Sequence, residues 1–310
     1  MVANLSESNM YDWRVNALMN WIDKNKCEKG TLSMEKLSSA GHLDQYHYLG
    51  LQANDEVIEI LGLRPGIKVL DVGCGIGGPA RYLAWKSGCD ITGVDIQSGL
   101  VDAGNHVCKM VDLSNRVELI AGDVVDKALF QPESFDAFIS LLVILHIENR
   151  KSLFDSLFSA VKSGGTFLID DMVCLGTFSD EEDRIAKEVI GSPLLPTVAE
   201  YRHHLESVGF VDVEFECLTS EWVEWCISRS DQYDASKEQQ IKMHGEKVYM
   251  QRSSFYADVK RLFLSGKLGG VRITGRKPSQ MEASLVAYRK RKENKIHPRL
   301  DKVVSIIERE

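Results

Sequence analysis

Through the middle of the chain, short apolar runs alternate with stretches whose apolar residues recur at helical spacing. The runs at 67–72, 90–95, 116–121, 135–141 and 165–170 predict strands, and the segments at 78–87, 98–111 and 150–162 predict helices between them. Runs that are apolar throughout, rather than at every second position, are buried on both faces, so the pattern predicts a mostly parallel sheet covered by helices. A sixth strand at 211–218 follows a helix at 197–208, and a seventh at 270–277 completes an α/β fold with seven strands. Ahead of the core, Tyr11, Trp13, Val15, Leu18, Met19 and Ile22 lie close to helical spacing and predict an amphipathic helix over 11–23, placed to serve as a lid. A polar linker, the aromatic stretch "HLDQYHYLG" and a helix over 51–61 follow, and Pro65-Gly66 stops that helix. The domain organisation expected is a helical lid over 1–50, a core over 51–218, a helical cap over 219–266, and a last strand and tail over 267–310. The cap, helped by 174–196, is expected to cover the sheet end where doubly wound proteins bind ligands.

Composition narrows the class. A chain of 310 residues, 44% hydrophobic and 26% charged, is globular rather than disordered or fibrous. Its formal charge of −8 opposes a phosphate backbone, so nucleic acid is not an expected partner. The seven cysteines, at 27, 74, 89, 108, 174, 217 and 226, form no C-x-x-C pair and read as reduced thiols, with no metal site. The start "MVANLSESNMYDW" has no basic region followed by an apolar stretch, and the longest apolar run, 138–147, is half of the roughly 20 residues that span a bilayer. A cytoplasmic enzyme with no membrane span is expected; the basic run in the tail reads as a solvated face.

"KVLDVGCGIGGPARYLA", residues 68–84, carries the chemistry. Gly73, Gly75 and Gly78 satisfy G-x-G-x-x-G at a strand-to-helix turn, the spacing of a dinucleotide pyrophosphate loop. Asp71 argues against phosphate, because a carboxylate beside a pyrophosphate repels it. A nucleotide with an ammonium and a sulfonium but no phosphate reverses the sign, and S-adenosylmethionine is such a cofactor. Asp95 ends the second strand, where a carboxylate accepts ribose hydroxyls, and Asp123 follows the third, where it could accept from an adenine amino group.

The run from "VLDVGCGIGGPARYLA" through "GVDI", "GDV", "SFDAFIS" and "GGTFLIDD" resembles the class I methyltransferases that use S-adenosylmethionine, over about residues 45–218. "VGCGIGGPAR" is similar to the branch holding sterol C-, tocopherol, phosphoethanolamine and sarcosine/dimethylglycine methyltransferases, and "YDW", "ILHIENRKSLF" and "SGKLGGVRITGRK" lean towards the last two. The resemblance implies a Rossmann-like fold and methyl transfer from S-adenosylmethionine to a small molecule, leaving S-adenosylhomocysteine. An amine nitrogen is the acceptor it favours, with a sterol, tocopherol or prenyl carbon as the alternative. It further implies that Asp71, Gly73 and Gly75 line the methionine part of the cofactor, Asp95 and Ile96 the ribose and adenine, and Asp123 and Val124 the adenine edge. Leu141 to His146 would face the methyl group. The phosphoethanolamine enzymes pair a histidine after the fourth strand with an N-terminal tyrosine; His146 fits the first, and Tyr11 or Tyr46 the second.

Each candidate also has a plain structural reading. His146 can take a proton near neutral pH, or merely orient its loop. Gln45 and Tyr46 can close over a cofactor, or pack the N-terminal segment on the sheet. Asp170 and Asp171 could polarise an acceptor. Cys74 needs only to be small in its turn. Trp222 and Trp225, with Glu221 and Glu224, could enclose an amine, or be core. Two readings from other classes are a non-catalytic S-adenosylmethionine-binding protein and a nicotinamide oxidoreductase.

Overall fold

The computed structural model describes residues 12–26 and 31–285. Its seven strands are β1 (Lys68–Val72), β2 (Asp90–Asp95), β3 (Val117–Ala121), β4 (Phe135–Leu141), β5 (Val161–Cys174), β6 (Val211–Cys217) and β7 (Leu268–Arg276), in the order β3-β2-β1-β4-β5-β7-β6. β1 to β5 pair in parallel, and β7 runs antiparallel between β5 and β6. The order turns back on itself beside β1 and β4, so the crevice at their carboxyl ends is the place for a ligand. This is the seven-stranded α/β fold that the alternation predicts, with the Rossmann-like arrangement that the resemblance implies.

Strand residues of opposite parity feed two cores. Val69, Ile139 and Leu168 pack with α3 (Leu51–Leu61), α4 (Gly78–Ser87) and α5 (Ser98–Met110), beneath α1 (Asp12–Asn25) and the short α2 (Met34–Ser38). Leu70, Val72, Phe138 and Ile169 pack on the other face with α6 (Arg150–Ala160) and α8 (Val198–Val208). By the same alternation Asp71 points towards the α4 face, among apolar neighbours.

Between β5 and α8 the chain forms α7 (Asp180–Arg184) and a π-helical stretch, Ile185–Ile190. Between β6 and β7 it forms α9 (Thr219–Ala235), α10 (Lys237–His244) and α11 (Glu246–Leu264). A third core joins these to the sheet through Trp222, Leu262, Phe263 and Leu268.

Two local features depart from the sequence pattern. β5 ends later than 165–170, because its antiparallel ladder with β7 holds every residue from Thr166 to Cys174, a pairing about a hundred residues distant in sequence, and it begins earlier, at Val161, which pairs with Phe135 of β4. The polar linker contains α2, where the Ser33 side chain caps the Lys36 N–H at 3.2 Å and Met34 and Leu37 are buried.

Candidate active site

The turn after β1 is shaped by what crowds it. Gly73 has φ of +71°, and a Cβ there would overlap Val143, so only glycine lets the β4 loop cross at this height. A Cβ at Gly78 would overlap the Asp44 carbonyl, which brings the N-terminal segment down onto the first turn of α4. Gly75, in contrast, faces open space on its Cβ side. The large apolar side chain of Ile96, 68% exposed, stands at the end of β2. An open glycine face beside an exposed apolar side chain is a surface on which a nucleoside can lie.

Charge in this crevice is negative. The Asp95 carboxylate accepts the Gly75 N–H through Oδ2 and the Gln97 N–H through Oδ1, each at 2.9 Å, and lone pairs remain on both oxygens for hydroxyl donors. Burial raises its pKa in spite of those bonds. Asp71 is 2% exposed and, among the described residues, its Oδ2 has no hydrogen-bond partner. Burial, and then the neighbouring Asp95 charge, push its pKa up to about 7. An orphaned carboxylate oxygen beside a second carboxylate fits a cationic ligand and opposes a pyrophosphate. Further along the crevice Asp123 is exposed with Oδ1 accepting the Val125 N–H at 3.0 Å, while Val124 and Leu141 are buried.

The β4 loop carries the histidine. Leu142 leaves the strand at φ +61°, a left-handed conformation that costs a non-glycine residue on the order of 1 kcal/mol or more and is held here by its N–H bond to the Asp170 carbonyl at 2.8 Å. The chain then turns through a 3-10 segment, Ile144–His146. The Asp171 carboxylate accepts the Leu145 N–H at 2.9 Å, the Tyr201 hydroxyl at 2.6 Å and the Met172 N–H at 2.8 Å, while the Ser192 hydroxyl donates to the Leu145 carbonyl at 2.8 Å. His146 Nδ1 lies 3.0 Å from the Gly191 carbonyl oxygen. A carbonyl only accepts, so Nδ1 carries the proton and Nε2 of the neutral ring is an acceptor. Desolvation lowers the His146 pKa, against the opposing effects of the Gly191 bond and the Asp95 charge, so the ring is neutral at pH 7, and the residue is exposed.

Asp171→Ala is accordingly expected to destabilise the protein by about 1–3 kcal/mol, because the buried Tyr201 hydroxyl and Leu145 N–H lose their acceptor. The measurement is a urea midpoint; an unchanged midpoint would remove Asp171 from the support of this loop.

Other candidates are placed as follows. Gln45 is buried, donating to Asp44 at 3.0 Å and accepting from Asn54 at 2.9 Å. Asp44 in turn pairs with Arg81 at 2.5 Å, and both side chains are fully buried. Tyr46 stacks on His42, ring centroids 4.6 Å apart, with the Arg14 guanidinium 3.5 Å over its ring, and among the described residues no hydrogen bond joins it to His146. Tyr11 lies outside the described residues. Asp170 is gripped by Arg272 through two bonds of 2.8 Å, and Arg272 also reaches Glu56. Trp222 is core, edge-on to Tyr48, and Glu221 and Glu224 are exposed, so these side chains do not form a cage. Burial raises the Cys74 thiol pKa well above its ordinary value, as suits a packing residue. Among the described residues no group of three or more His, Cys, Asp or Glu is placed to hold a metal, and no helix is long and apolar enough to cross a membrane.

Residues 70–169 match the family model described as a methyltransferase domain. The chain is similar to phosphoethanolamine N-methyltransferase of Plasmodium falciparum, 30% identical over 65% of this chain and 75% of that protein. It is also similar to phosphoethanolamine N-methyltransferase 1 of Arabidopsis thaliana, 33% identical over 64% of this chain and 40% of that protein. It spans less than half the length of the plant relatives it matches first. Among solved structures, Haemonchus contortus phosphoethanolamine N-methyltransferase 2 in complex with phosphomonomethylethanolamine and S-adenosylhomocysteine superposes with a TM-score of 0.67 at 25% identity, covering 74% of this chain and 53% of that one.

Proposed function

Because this chain belongs to the class I methyltransferases that use S-adenosylmethionine, in the branch of the phosphoethanolamine enzymes, we propose that it methylates a small molecule on an amine nitrogen. The observation that carries the reading is His146, a neutral imidazole whose Nδ1 proton is fixed on the Gly191 carbonyl and whose Nε2 is left to accept.

Asp71, Asp95 and Ile96 are the residues that would hold the cofactor, with Gly73 and Gly75 leaving it room, Asp123 and Val124 at the adenine edge, and Leu141 beneath. When bound, S-adenosylmethionine supplies a methyl group already activated on a sulfonium. What remains for the protein is to hold the acceptor in line and to free its lone pair. An amine is protonated at neutral pH, so its lone pair appears only when a base takes the proton. His146 Nε2 is that base in our reading, and the Asp171, Tyr201 and Ser192 contacts keep its loop in place. Asp71 and Asp95 supply negative charge opposite the cofactor's positive end.

The test is turnover of labelled S-adenosylmethionine by the purified chain with ethanolamine, phosphoethanolamine, glycine, sarcosine and dimethylglycine in one panel, and a sterol and a tocopherol precursor in another. Methylation confined to amines supports the reading. Methylation confined to the second panel would replace it with carbon methylation, and cofactor binding without turnover on either would point to a binding protein.

Asp71 also sets a pH dependence. The unliganded fold holds a proton on Asp71 up to about pH 7 that the unfolded chain releases near 4, so stability from this group falls as pH rises between those values. A cationic ligand requires the ionised form, so its affinity should rise about tenfold between pH 6 and pH 8. Calorimetric titration with S-adenosylmethionine at both pH values checks this, and Asp71→Asn should flatten the dependence. A parent protein with no pH dependence would show that Asp71 does not face the ligand's charge.

A further inference from the structure

His146 owes its tautomer to the Gly191 carbonyl, 45 positions away. Gly191 ends the π-helical stretch Ile185–Ile190 with φ of +80°, and the irregular segment 191–196 that follows runs beside the β4 loop. Both ends of this segment are held. Ser192 donates its N–H to the Ala186 carbonyl and its hydroxyl to the Leu145 carbonyl, at 2.9 and 2.8 Å, and the Pro196 carbonyl accepts the Cys174 N–H at 2.9 Å. Between them Leu194 exposes its side chain, while its carbonyl receives a short bond from the Arg150 guanidinium. Arg150 is an unusual residue for its place. It is the first residue of α6, where Asn149 caps the helix by accepting the Ser152 N–H at 3.1 Å. A cation in the first turn opposes the helix dipole, and this one is only 4% exposed, with its Nε unpartnered among the described residues. Both features are unfavourable, so packing alone does not account for the guanidinium.

The Arg150 charge also reaches the other hold on the loop. Burial pushes the Asp171 pKa up to about 7, against three hydrogen bonds and the Arg150 charge, and Asp171 is the acceptor of the Leu145 N–H. A ring of contacts closes around the histidine, from Arg150 to Leu194, back along the chain to Gly191, and from Gly191 to His146, four residues before Arg150. We infer that Arg150 is a positioning residue, which holds the segment 191–194 so that the Gly191 carbonyl stays against His146 Nδ1 and keeps the proton there. Without that hold the carbonyl is free to withdraw. A neutral imidazole then also takes the other tautomer, with its proton on Nε2 and no lone pair left there for an amine proton. The inference rests on the reading of His146 as the base, but its first consequence, the tautomer, is measurable without turnover.

The experiment is heteronuclear NMR of the histidine ring nitrogens in the full chain, at a pH where the ring is neutral, with the His146 signals identified by their loss in His146→Ala. The parent should carry the proton on Nδ1. Arg150→Gln should show both tautomers, and its turnover should fall about tenfold while S-adenosylmethionine affinity changes by less than about twofold. Arg150→Lys, which keeps a charged donor, should lie between the two. Arg150→Met fills the same space without a buried polar group, and it serves if Arg150→Gln does not fold. A shifted tautomer with unchanged turnover would support Arg150 as the group that sets the histidine and would remove His146 as the base. A tautomer unchanged in Arg150→Gln and Arg150→Met, or a parent whose proton sits on Nε2, would overturn the inference.

Discussion

His146→Ala is expected to lower turnover by roughly 10²- to 10⁴-fold while changing S-adenosylmethionine affinity by less than about twofold. The split follows from position. His146 stands on the loop after β4, held through Nδ1 by Gly191, whereas the carboxylates proposed to meet the cofactor are Asp71 and Asp95. Removing the imidazole takes away the proposed acceptor for the amine proton and leaves those carboxylates in place. The pH profile separates this role from a structural one. In the parent, turnover should fall on the acid side as the ring gains a proton, at a pH below the ordinary histidine range because the pKa is lowered. In the variant that limb should vanish, since no base remains to be protonated. Equal turnover in parent and variant, or an unchanged acid limb, would remove His146 from the chemistry and leave it as a loop residue.

The sequence shows the strands, most helices and the acidic positions along the crevice because each is a local signal. Apolar runs of five to seven residues mark β1 to β4, and Asp71 and Asp95 stand two residues before the first glycine and at the end of β2. His146 was singled out instead by the family resemblance and by the chemistry of an imidazole, and the structure places it on the loop after β4. What holds these groups in place was not legible. Asp171 meets Tyr201 across 30 positions, His146 meets Gly191 across 45, and Arg272 meets Asp170 across 102. No periodicity encodes such pairings. Trp222 and Trp225 show the converse: helical spacing is read correctly, yet only packing against Tyr48 and Gly270 decides that Trp222 is core. One buried pairing did leave a trace. Arg81 interrupts the buried stripe of α4 between Ala80 and Leu83, and a charge on such a face needs a partner.

That partner is Asp44, and Asp44→Ala is expected to cost about 3–5 kcal/mol, because it leaves the Arg81 charge buried without its counter-ion. Arg81 would keep its bond to the Ile76 carbonyl at 2.5 Å, a neutral acceptor that does not compensate a guanidinium taken out of water. An exposed pair supplies the contrast. Asp155 meets Lys151 at 2.9 Å on the surface of α6, and Asp155→Ala should cost less than about 1 kcal/mol. Urea midpoints of the two variants measure the difference directly. The loss at Asp44 should reach the crevice as well, since the Asp44 carbonyl abuts Gly78 and Arg81 ties α4 to the glycine turn through Ile76. S-adenosylmethionine affinity should therefore fall in Asp44→Ala although Asp44 is not among the residues proposed to hold the cofactor. Replacing both partners, Asp44→Leu with Arg81→Met, removes the stranded charge and should recover much of the stability. If the double variant is no more stable than Asp44→Ala, the cost lies in lost packing and hydrogen bonds around Gln45 and Asn54 rather than in the unpaired guanidinium.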